Sequence, residues 1–166
     1  MLVVLAPVAG TVRALADLPD AVFADGLLGP GVAIDPDPGP GPDHPRPGPS
    51  AAVHAPVTGE VVAVRAHAFV ARGSAGDVLV HLGLDSVDLG AAPFDLALAV
   101  GDRLVAGESV GGWLPTAVAA TGRSAACAVV ALQADPGAVR VVAAPGARVA
   151  AGDPVLEWLS GAAAAG

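Results

Sequence analysis

Short valine-rich runs, separated by glycine, proline or aspartate, recur along the chain at intervals of roughly eight to twelve residues. Runs that are rich in β-branched residues and bounded by turn formers are typical of strands in a sandwich or barrel. They predict strands near 2–5, 11–15, 32–35, 51–54, 59–64, 68–71, 77–81, 87–89, 104–105, 109–113, 126–132, 140–142 and 154–158. Helical spacing is limited to 93–99 and 114–122. We therefore expect an all-β fold, an antiparallel β-sandwich or barrel-sandwich hybrid with one or two short helices.

Two segments of the sequence each occur twice. The segment Ala-Pro-Val-Ala-Gly-Thr-Val at 6–12 returns as Ala-Pro-Val-Thr-Gly-Glu-Val at 55–61, and residues 101–107 are similar to 146–152. A solenoid stacks more copies than this, so a solenoid is excluded. The repeats predict two pseudo-symmetric halves that close over one core.

The length of 166 residues fits one domain, which can bury a sizeable core without disulfides or metals. We expect a single domain over 1–161. Residues 35–50 alternate proline with glycine and polar residues and contain no large apolar side chain, which predicts an extended surface loop. Residues 162–166 are expected to form a disordered tail.

The charge and cysteine content exclude several classes of protein. The formal net charge is −8 and all eight basic residues are arginines, whereas nucleic-acid-binding surfaces need clustered basic side chains. A biotinyl or lipoyl carrier is excluded because it needs a lysine to modify. Cys127 is the single cysteine, so no intramolecular disulfide forms and a reducing compartment is indicated. No apolar run approaches the roughly 18 residues of a membrane span. We expect a cytoplasmic protein.

One segment carries candidate chemistry, the sequence Val-Leu-Val-His-Leu-Gly-Leu-Asp-Ser-Val-Asp-Leu at 78–89. It predicts a strand that brings His81 to a sheet surface, with His67 one hairpin upstream and Asp85 four residues downstream. Imidazoles on adjacent antiparallel strands can face each other, and a neutral imidazole is a competent nucleophile near pH 7. The alternative is a half-buried core histidine bonded to a backbone carbonyl.

Further motifs accompany this segment in a fixed order, at 5–10, 19–24, 29–34, 55–59, 67–69, 101–105 and 152–155. Together with 80–89, they resemble the glucose-type enzyme IIA (EIIA) of the bacterial phosphoenolpyruvate:sugar phosphotransferase system. The resemblance spans nearly the whole chain. The fold that it implies, an antiparallel β-sandwich with brief helices, agrees with the strand pattern.

The resemblance implies a phosphocarrier. The Nε2 atom of His81 would accept a phosphoryl group from the histidine phosphocarrier protein HPr. It would then pass the group to the IIB cysteine of a sugar permease. His67 would donate to the phosphate oxygens, and Asp85 would cap backbone amides or orient a ring. We expect no cofactor, no metal, a monomer, and membrane contact only through the permease.

Two sets of apolar residues are expected near the histidines. The rim of the site is expected to consist of Phe69, Val80, Leu82 and Leu84, which lie close to the histidines in the sequence. The partner-docking residues are expected to be Val22, Phe23, Leu27, Leu28 and Phe69, in part because the family has a docking loop that corresponds to the one containing Phe23.

The chain departs from the family at Arg65, where a threonine usually lies two residues before the histidine that His67 resembles. Arg65 is a candidate to neutralise phosphate charge. A zinc peptidase on a related β fold is an alternative, because His81 and Asp85 have the H-x-x-x-D spacing of such sites. The His-x-His pair that such a site also requires is absent from the sequence. A third interpretation is a non-catalytic regulator whose binding changes with its phosphorylation.

Overall fold

The structure, a computed structural model, describes residues 1–37, 51–84, 89–91 and 93–159. Its strands are β1 (Leu2–Leu5), β2 (Gly10–Ala14), β3 (Gly31–Pro36), β4 (Ala51–His54), β5 (Gly59–Arg65), β6 (Ala68–Arg72), β7 (Asp77–Leu82), β8 (Phe94–Leu96), β9 (Arg103–Leu104), β10 (Ser109–Trp113), β11 (Cys127–Ala131), β12 (Val139–Val141), β13 (Arg148–Val149) and β14 (Pro154–Trp158). The helices are α1 (Ala21–Ala24) and α2 (Pro115–Ala120), with 3₁₀ turns at Leu15–Asp17 and Pro136–Ala138.

Within the described residues, the strands form three antiparallel sheets. The largest, called the large sheet from here on, has the order β13-β2-β3-β11-β7-β6-β5-β9. Two smaller sheets have the orders β1-β14-β12 and β4-β10-β8. The all-β antiparallel fold predicted from the sequence is confirmed.

The strand order also contains the predicted two-fold repeat. At one edge of the large sheet β2 pairs with β13, and at the other edge β5 pairs with β9. Strands β2 and β5 overlap the two copies of the first repeated segment, and β9 and β13 lie within the two copies of the second. The two proline corners exchange backbone hydrogen bonds, from Leu5 N–H to the Pro56 carbonyl and from His54 N–H to the Pro7 carbonyl, each 2.8 Å long.

The glycine in each copy of the first repeat has a packing reason. Gly10 begins β2 and Gly59 begins β5. A Cβ atom at Gly10 would lie 1.9 Å from the Asp35 carbonyl oxygen, and one at Gly59 would lie 1.8 Å from that of Arg72. Both positions therefore require glycine, because the neighbouring strand approaches too closely for a side chain.

The large sheet separates two apolar clusters. The main core lies on one face and contains Val12, Ile34, Val61, Phe69, Val80 and Val129 among its buried residues. The second cluster lies on the other face and consists of Leu15, Leu18, Phe23, Ala33, Leu84, Ala126, Ala128 and Val130. All five residues of β11 are buried, because its alternating side chains reach both clusters.

The predicted helix at 93–99 is wrong. Residues Phe94–Leu96 form β8, which pairs with β10 so that Phe94 lies opposite Trp113. Tertiary pairing overrides a weak helical spacing here. The predicted helix at 114–122 is confirmed as α2.

Three further differences concern connections. Helix α1 was not predicted, and its N-terminus is capped by Asp20, whose side chain accepts a 2.9 Å bond from Val22 N–H. Strand β3 continues through Pro36, into the segment predicted to be a loop from 35 onward. The rest of that loop from 38, the core of the predicted strand at 87–89 and the tail at 162–166 lie outside the described residues.

Candidate functional site

His81 lies on β7, near the centre of the large sheet. Alternation along this strand places Val78, Val80 and Leu82 in the main core and turns the His81 side chain to the opposite face. Its neighbours across the sheet are Ala68 on β6 and Ala128 on β11. Because both neighbours are small, the half-buried imidazole has room to stand above the sheet surface.

The His81 ring is oriented by the backbone that immediately follows it. Its Nδ1 atom lies 2.7 Å from the carbonyl oxygen of Gly83. A carbonyl oxygen only accepts, so Nδ1 carries the proton and the lone pair of the neutral ring is on Nε2. Gly83 has a φ of 77°, a left-handed conformation in which glycine is favoured. The His-Leu-Gly sequence therefore favours the tautomer that is protonated on Nδ1.

His67 lies in the tight turn between β5 and β6, directly beside the end of β7. Its backbone carbonyl accepts a 2.7 Å hydrogen bond from Leu82 N–H, and its side chain is 8% exposed. The His67 and His81 ring centroids are 4.7 Å apart, with the ring planes at 72°. The sequence prediction that the two imidazoles meet agrees with this geometry.

The environment of His67 disfavours its charged form. Burial lowers the pKa of His67 below the ordinary 6.5, and the positive charges of His81 and Arg65 lower it further. A neutral His67 keeps one N–H donor and one acceptor nitrogen at neutral pH.

The two imidazoles belong to a row of five aromatic rings. Phe23 of α1 contacts His81 with centroids 5.3 Å apart and planes at 63°. On the other side, Phe94 lies 6.2 Å from His67, and Trp113 stacks on Phe94 at 6.4 Å with planes 11° apart. Sequence reasoning missed Phe94 and Trp113 as parts of the site. The only signal was the apolar ring within the predicted strand at 109–113, which gave no indication of its partner.

Arg65 is the exposed last residue of β5, two positions before His67. Its Nη1 donates to the Val64 carbonyl at 3.0 Å. Within the described ranges, Arg13, Arg72, Arg140 and Arg148 form ion pairs with carboxylates, and Arg65 does not. The Arg65 guanidinium therefore keeps donors for an added anion. Asp85, the third predicted catalytic residue, lies outside the described residues.

The predicted apolar rim is largely wrong. Phe69, Val80 and Leu82 belong to the main core, on the face of the large sheet away from His81. Phe69 is 1% exposed, so its predicted docking role is also wrong. Adjacent residues of a strand point to opposite faces, and Phe69 follows Ala68, which is the neighbour of His81. Leu84 is in the second cluster, together with Phe23.

The remaining predicted docking residues lie on or after α1. Val22 is 44% exposed and Leu27 is 71% exposed, whereas Leu28 is half-buried against the second cluster. Phe23 is 5% exposed because its ring packs between this cluster and His81. Phe23 therefore covers the imidazole rather than presenting its own surface to a partner.

Other candidate groups are structural. Cys127 is fully buried in the main core, and burial raises the pKa of its thiol, so it is a small core residue as predicted. His54 of β4 has its Nδ1 atom 2.9 Å from the Gly107 carbonyl. In the part of the chain that the structure describes, no group of three or more His, Cys, Asp or Glu side chains could hold a metal ion.

Comparison with known proteins identifies the family. Residues 2–136 match the family model described as phosphoenolpyruvate-dependent sugar phosphotransferase system, EIIA 1. The chain belongs to this family. Among the described residues, no helix of this EIIA is long and apolar enough to cross a membrane.

Individual relatives agree with the glucose type of EIIA. The glucose-specific EIIA component of Bacillus cereus is 31% identical over 110 residues, which are 64% of this chain and 59% of that protein. The corresponding component of Mycoplasma capricolum is 36% identical over 111 residues, 61% of this chain and 64% of that protein. This EIIA therefore spans less than two thirds of the length of these relatives.

A longer relative and a solved structure extend the comparison. The glucose-specific EIICBA component of Streptococcus pneumoniae is 34% identical over 129 residues, 76% of this chain and 16% of that protein. The solved structure of glucose permease IIA from Mycoplasma capricolum superposes with a TM-score of 0.77 at 29% identity, covering 93% of each chain. The glucose-type EIIA fold predicted from the sequence is confirmed.

Proposed function

We propose that this EIIA carries a phosphoryl group on Nε2 of His81, accepting it from phospho-HPr and delivering it to the cysteine of a permease IIB domain. The observation that carries the proposal is the His81 ring itself, with Nδ1 bonded to the Gly83 carbonyl at 2.7 Å and His67 at 4.7 Å. It supplies a nucleophile of defined tautomer next to a second hydrogen-bonding ring.

The transfer balances without an added acid or base. The Nε2 lone pair of His81 forms a bond to phosphorus while the phosphorus–nitrogen bond of the donor histidine breaks, and the donor ring leaves with that electron pair. The Nδ1 proton of His81 stays on its bond to Gly83, which stabilises the positive charge that develops on the phosphorylated ring. Delivery to a thiolate is the same displacement with sulfur as the nucleophile.

His67 and Arg65 supply the charge stabilisation that phosphoryl transfer needs. Because a lowered pKa keeps His67 neutral, its N–H can donate to a phosphate oxygen without a permanent charge that would trap the group. Arg65 adds a positive charge at the exposed edge, in place of the hydroxyl that the family usually has. Asp85 is proposed to support a ring or nearby amides, as the family resemblance implies.

The surroundings of His81 fit two successive protein partners. The net charge of −8 favours a basic donor. Exposed Val22 and Leu27 lie close to Phe23 in the sequence and are proposed as docking contacts, together with Leu28, which is half-buried against the second cluster. We further propose that the chain acts as a cytoplasmic single domain over 1–161, as a monomer without cofactor or metal, and meets the membrane through the permease.

Phosphorylation in a reconstituted relay tests the proposal. Wild-type protein incubated with phosphoenolpyruvate, enzyme I and HPr should gain the mass of one phosphoryl group, and His81→Ala should gain none. His54→Ala is the matched control, because it removes another ring bonded to a backbone carbonyl and should be phosphorylated like wild type. A phosphorylated His81→Ala protein would refute the assignment.

Delivery to a IIB domain tests His67 separately. His67→Ala should still accept phosphate on His81 but pass it on about a hundredfold more slowly, since removal of one transition-state donor costs that much. Single-turnover transfer from the purified phosphoprotein to IIB measures this rate. Delivery at the wild-type rate would remove His67 from the mechanism.

A further inference from the structure

Two aromatic side chains behind His67 have no part in the mechanism above. Phe94 on β8 and Trp113 on β10 lie directly opposite each other in neighbouring strands. Their rings are nearly parallel, 11° apart, with centroids separated by 6.4 Å, which is an offset stack. Trp113 is 0% exposed and Phe94 is 8% exposed, so the pair forms a rigid wall.

The Trp113 indole contributes to this wall by packing. Its Nε1–H is buried and makes no hydrogen bond to any described residue. A buried donor without a hydrogen bond lowers the stability of the fold, and a phenylalanine at this position would not have this cost. We infer that the position needs the size and shape of the indole ring behind Phe94.

The His67 ring depends on its neighbours for its orientation. Its backbone carbonyl is bonded to Leu82 N–H, but no hydrogen bond to its imidazole is present within the described residues. The ring contacts are to His81 at 4.7 Å on one side and to Phe94 at 6.2 Å on the other. A side chain without a hydrogen-bond anchor keeps one rotamer through packing, and Phe94 supplies that packing.

We propose that Phe94, held in place by Trp113, is the positioning residue of His67: it fixes the imidazole against His81 and excludes water from behind it. The inference rests on the proposed function for its effect on delivery, but its structural half concerns the His67 ring in the unphosphorylated protein. Phe94 acts through His67 and does not touch the phosphoryl group.

The proposal predicts different effects of Phe94 and His67 on the two transfers. Without the Phe94 ring, His67 can rotate away from the line of transfer, and delivery to IIB should fall about tenfold because misplacement of one catalytic group is costly. Uptake on His81, whose Nδ1 bond to Gly83 is unaffected, should stay near the wild-type rate.

Water that replaces the Phe94 ring should also change the titration of His67. Burial is the first cause of its lowered pKa, with the positive charges of His81 and Arg65 next, and the Phe94 ring is part of that burial. In Phe94→Ala, the pKa of His67 should therefore rise toward the ordinary 6.5.

The experiment uses NMR titration of the imidazoles in the unphosphorylated chain, together with single-turnover delivery to IIB. Phe94→Ala and Trp113→Ala should both raise the pKa of His67 and slow delivery, with the smaller effect in Trp113→Ala. Phe94→Leu, which keeps most of the apolar volume, should restore the pKa and much of the rate. Val110→Ala is the control, since it removes a buried side chain from β10 that is not one of the five rings, and should change neither readout.

The outcomes separate this inference from the proposed function. If Phe94→Ala and Phe94→Leu titrate like Val110→Ala, the positioning role is overturned even when wild type carries phosphate. If wild type takes up no phosphate but Phe94→Ala raises the pKa of His67 and Phe94→Leu restores it, the proposed function fails while the positioning of His67 stands.

Discussion

The two halves of the large sheet have equivalent strands but different connections. The pairing of β2 with β13 matches that of β5 with β9, so β3 corresponds to β6 and β11 corresponds to β7. His81 lies opposite Ala68, the first residue of β6, and Val130 lies opposite Gly31, the first residue of β3. Val130 therefore occupies in one half the position that His81 occupies in the other.

The connections explain why these positions differ. Strands β2 and β3 are joined by residues 15–30, which fold over the sheet and bury Val130 completely in the second cluster. Strands β5 and β6 are joined by the turn at 66–67, which leaves His81 half-buried and places His67 beside it. The long connection also brings Phe23 across to His81. Equivalent scaffold positions thus carry a buried core side chain in one half and a half-buried imidazole in the other.

The largest expected effects come from removing the side chain at each of the two equivalent positions, His81 and Val130. His81→Ala should reduce phosphoryl uptake by at least about a thousandfold, as loss of a nucleophile does. The same change should alter the free energy of unfolding by no more than about 1 kcal/mol, because the ring is partly exposed and its bond to the Gly83 carbonyl is a neutral hydrogen bond. Val130→Ala should cost about 2 kcal/mol of stability through the cavity that it leaves.

Intact mass after phosphorylation and urea denaturation measure the two effects. Val130→Ala that remains folded should take up phosphate like wild type. A Val130→Ala protein that is fully folded yet cannot be phosphorylated would mean that the two positions are not functionally distinct, and the comparison would break.

The sequence predicted the scaffold because its signals are local. Valine-rich runs between turn formers predicted most of the strands. The repeated Ala-Pro-Val-x-Gly segment predicted the two halves, since Gly10 and Gly59 each lie where a neighbouring strand leaves no room for a Cβ atom. It also predicted the meeting of His67 and His81, because His67 directly precedes β6 and His81 lies near the end of the adjoining β7.

The parts that the sequence could not predict depend on long-range contacts. The spacing at 93–99 fits a helix, and only the pairing of Phe94 with Trp113 makes it a strand. The rim prediction failed for Phe69 and Leu82 because proximity to His81 in sequence does not reveal which face of the sheet a side chain occupies. The contact between Phe23 and His81 joins the β2–β3 connection of one half to strand β7 of the other, which no local pattern encodes.

Removal of the Phe23 ring, which the connection at 15–30 places against His81, should have an intermediate effect. Phe23→Ala should destabilise the fold by about 3 kcal/mol and make hydrolysis of the phosphohistidine several-fold faster, because water then reaches the ring face. Phe23→Leu should keep the phosphohistidine lifetime near that of wild type. The decay of the phosphorylated mass in buffer measures the lifetime.

Leu15→Ala is the matched control for that experiment. Leu15 belongs to the same connection and the same second cluster, and it is 8% exposed, but the ring next to His81 is that of Phe23. Loss of Leu15 should lower stability comparably without shortening the phosphohistidine lifetime. Equal lifetimes in Phe23→Ala and wild type would show that the long connection gives His81 no protection from water.

The smallest effect concerns the short connection and is a pH dependence. His67 has a pKa below 6.5 in the folded protein because of burial first and then the charges of His81 and Arg65, so the unfolded chain binds more protons as the pH falls through 6.5. His67 therefore makes stability decrease on acidification from about pH 7 to pH 5. His67→Gln should remove part of this decrease, measured as the free energy of unfolding in urea at each pH.

Arg65 and Arg103 provide the charge control for the same titration. Both are exposed arginines on paired strands, β5 and β9, but Arg65 lowers the pKa of His67 and lies two residues from it. Arg65→Gln should reduce the acid-side loss of stability, since the pKa of His67 then returns toward 6.5, whereas Arg103→Gln removes the same charge and should leave that loss unchanged. If His67→Gln shows the full wild-type dependence, the turn at 66–67 does not hold a neutral imidazole at the site. The difference between the two connections would then be one of shape rather than of proton affinity.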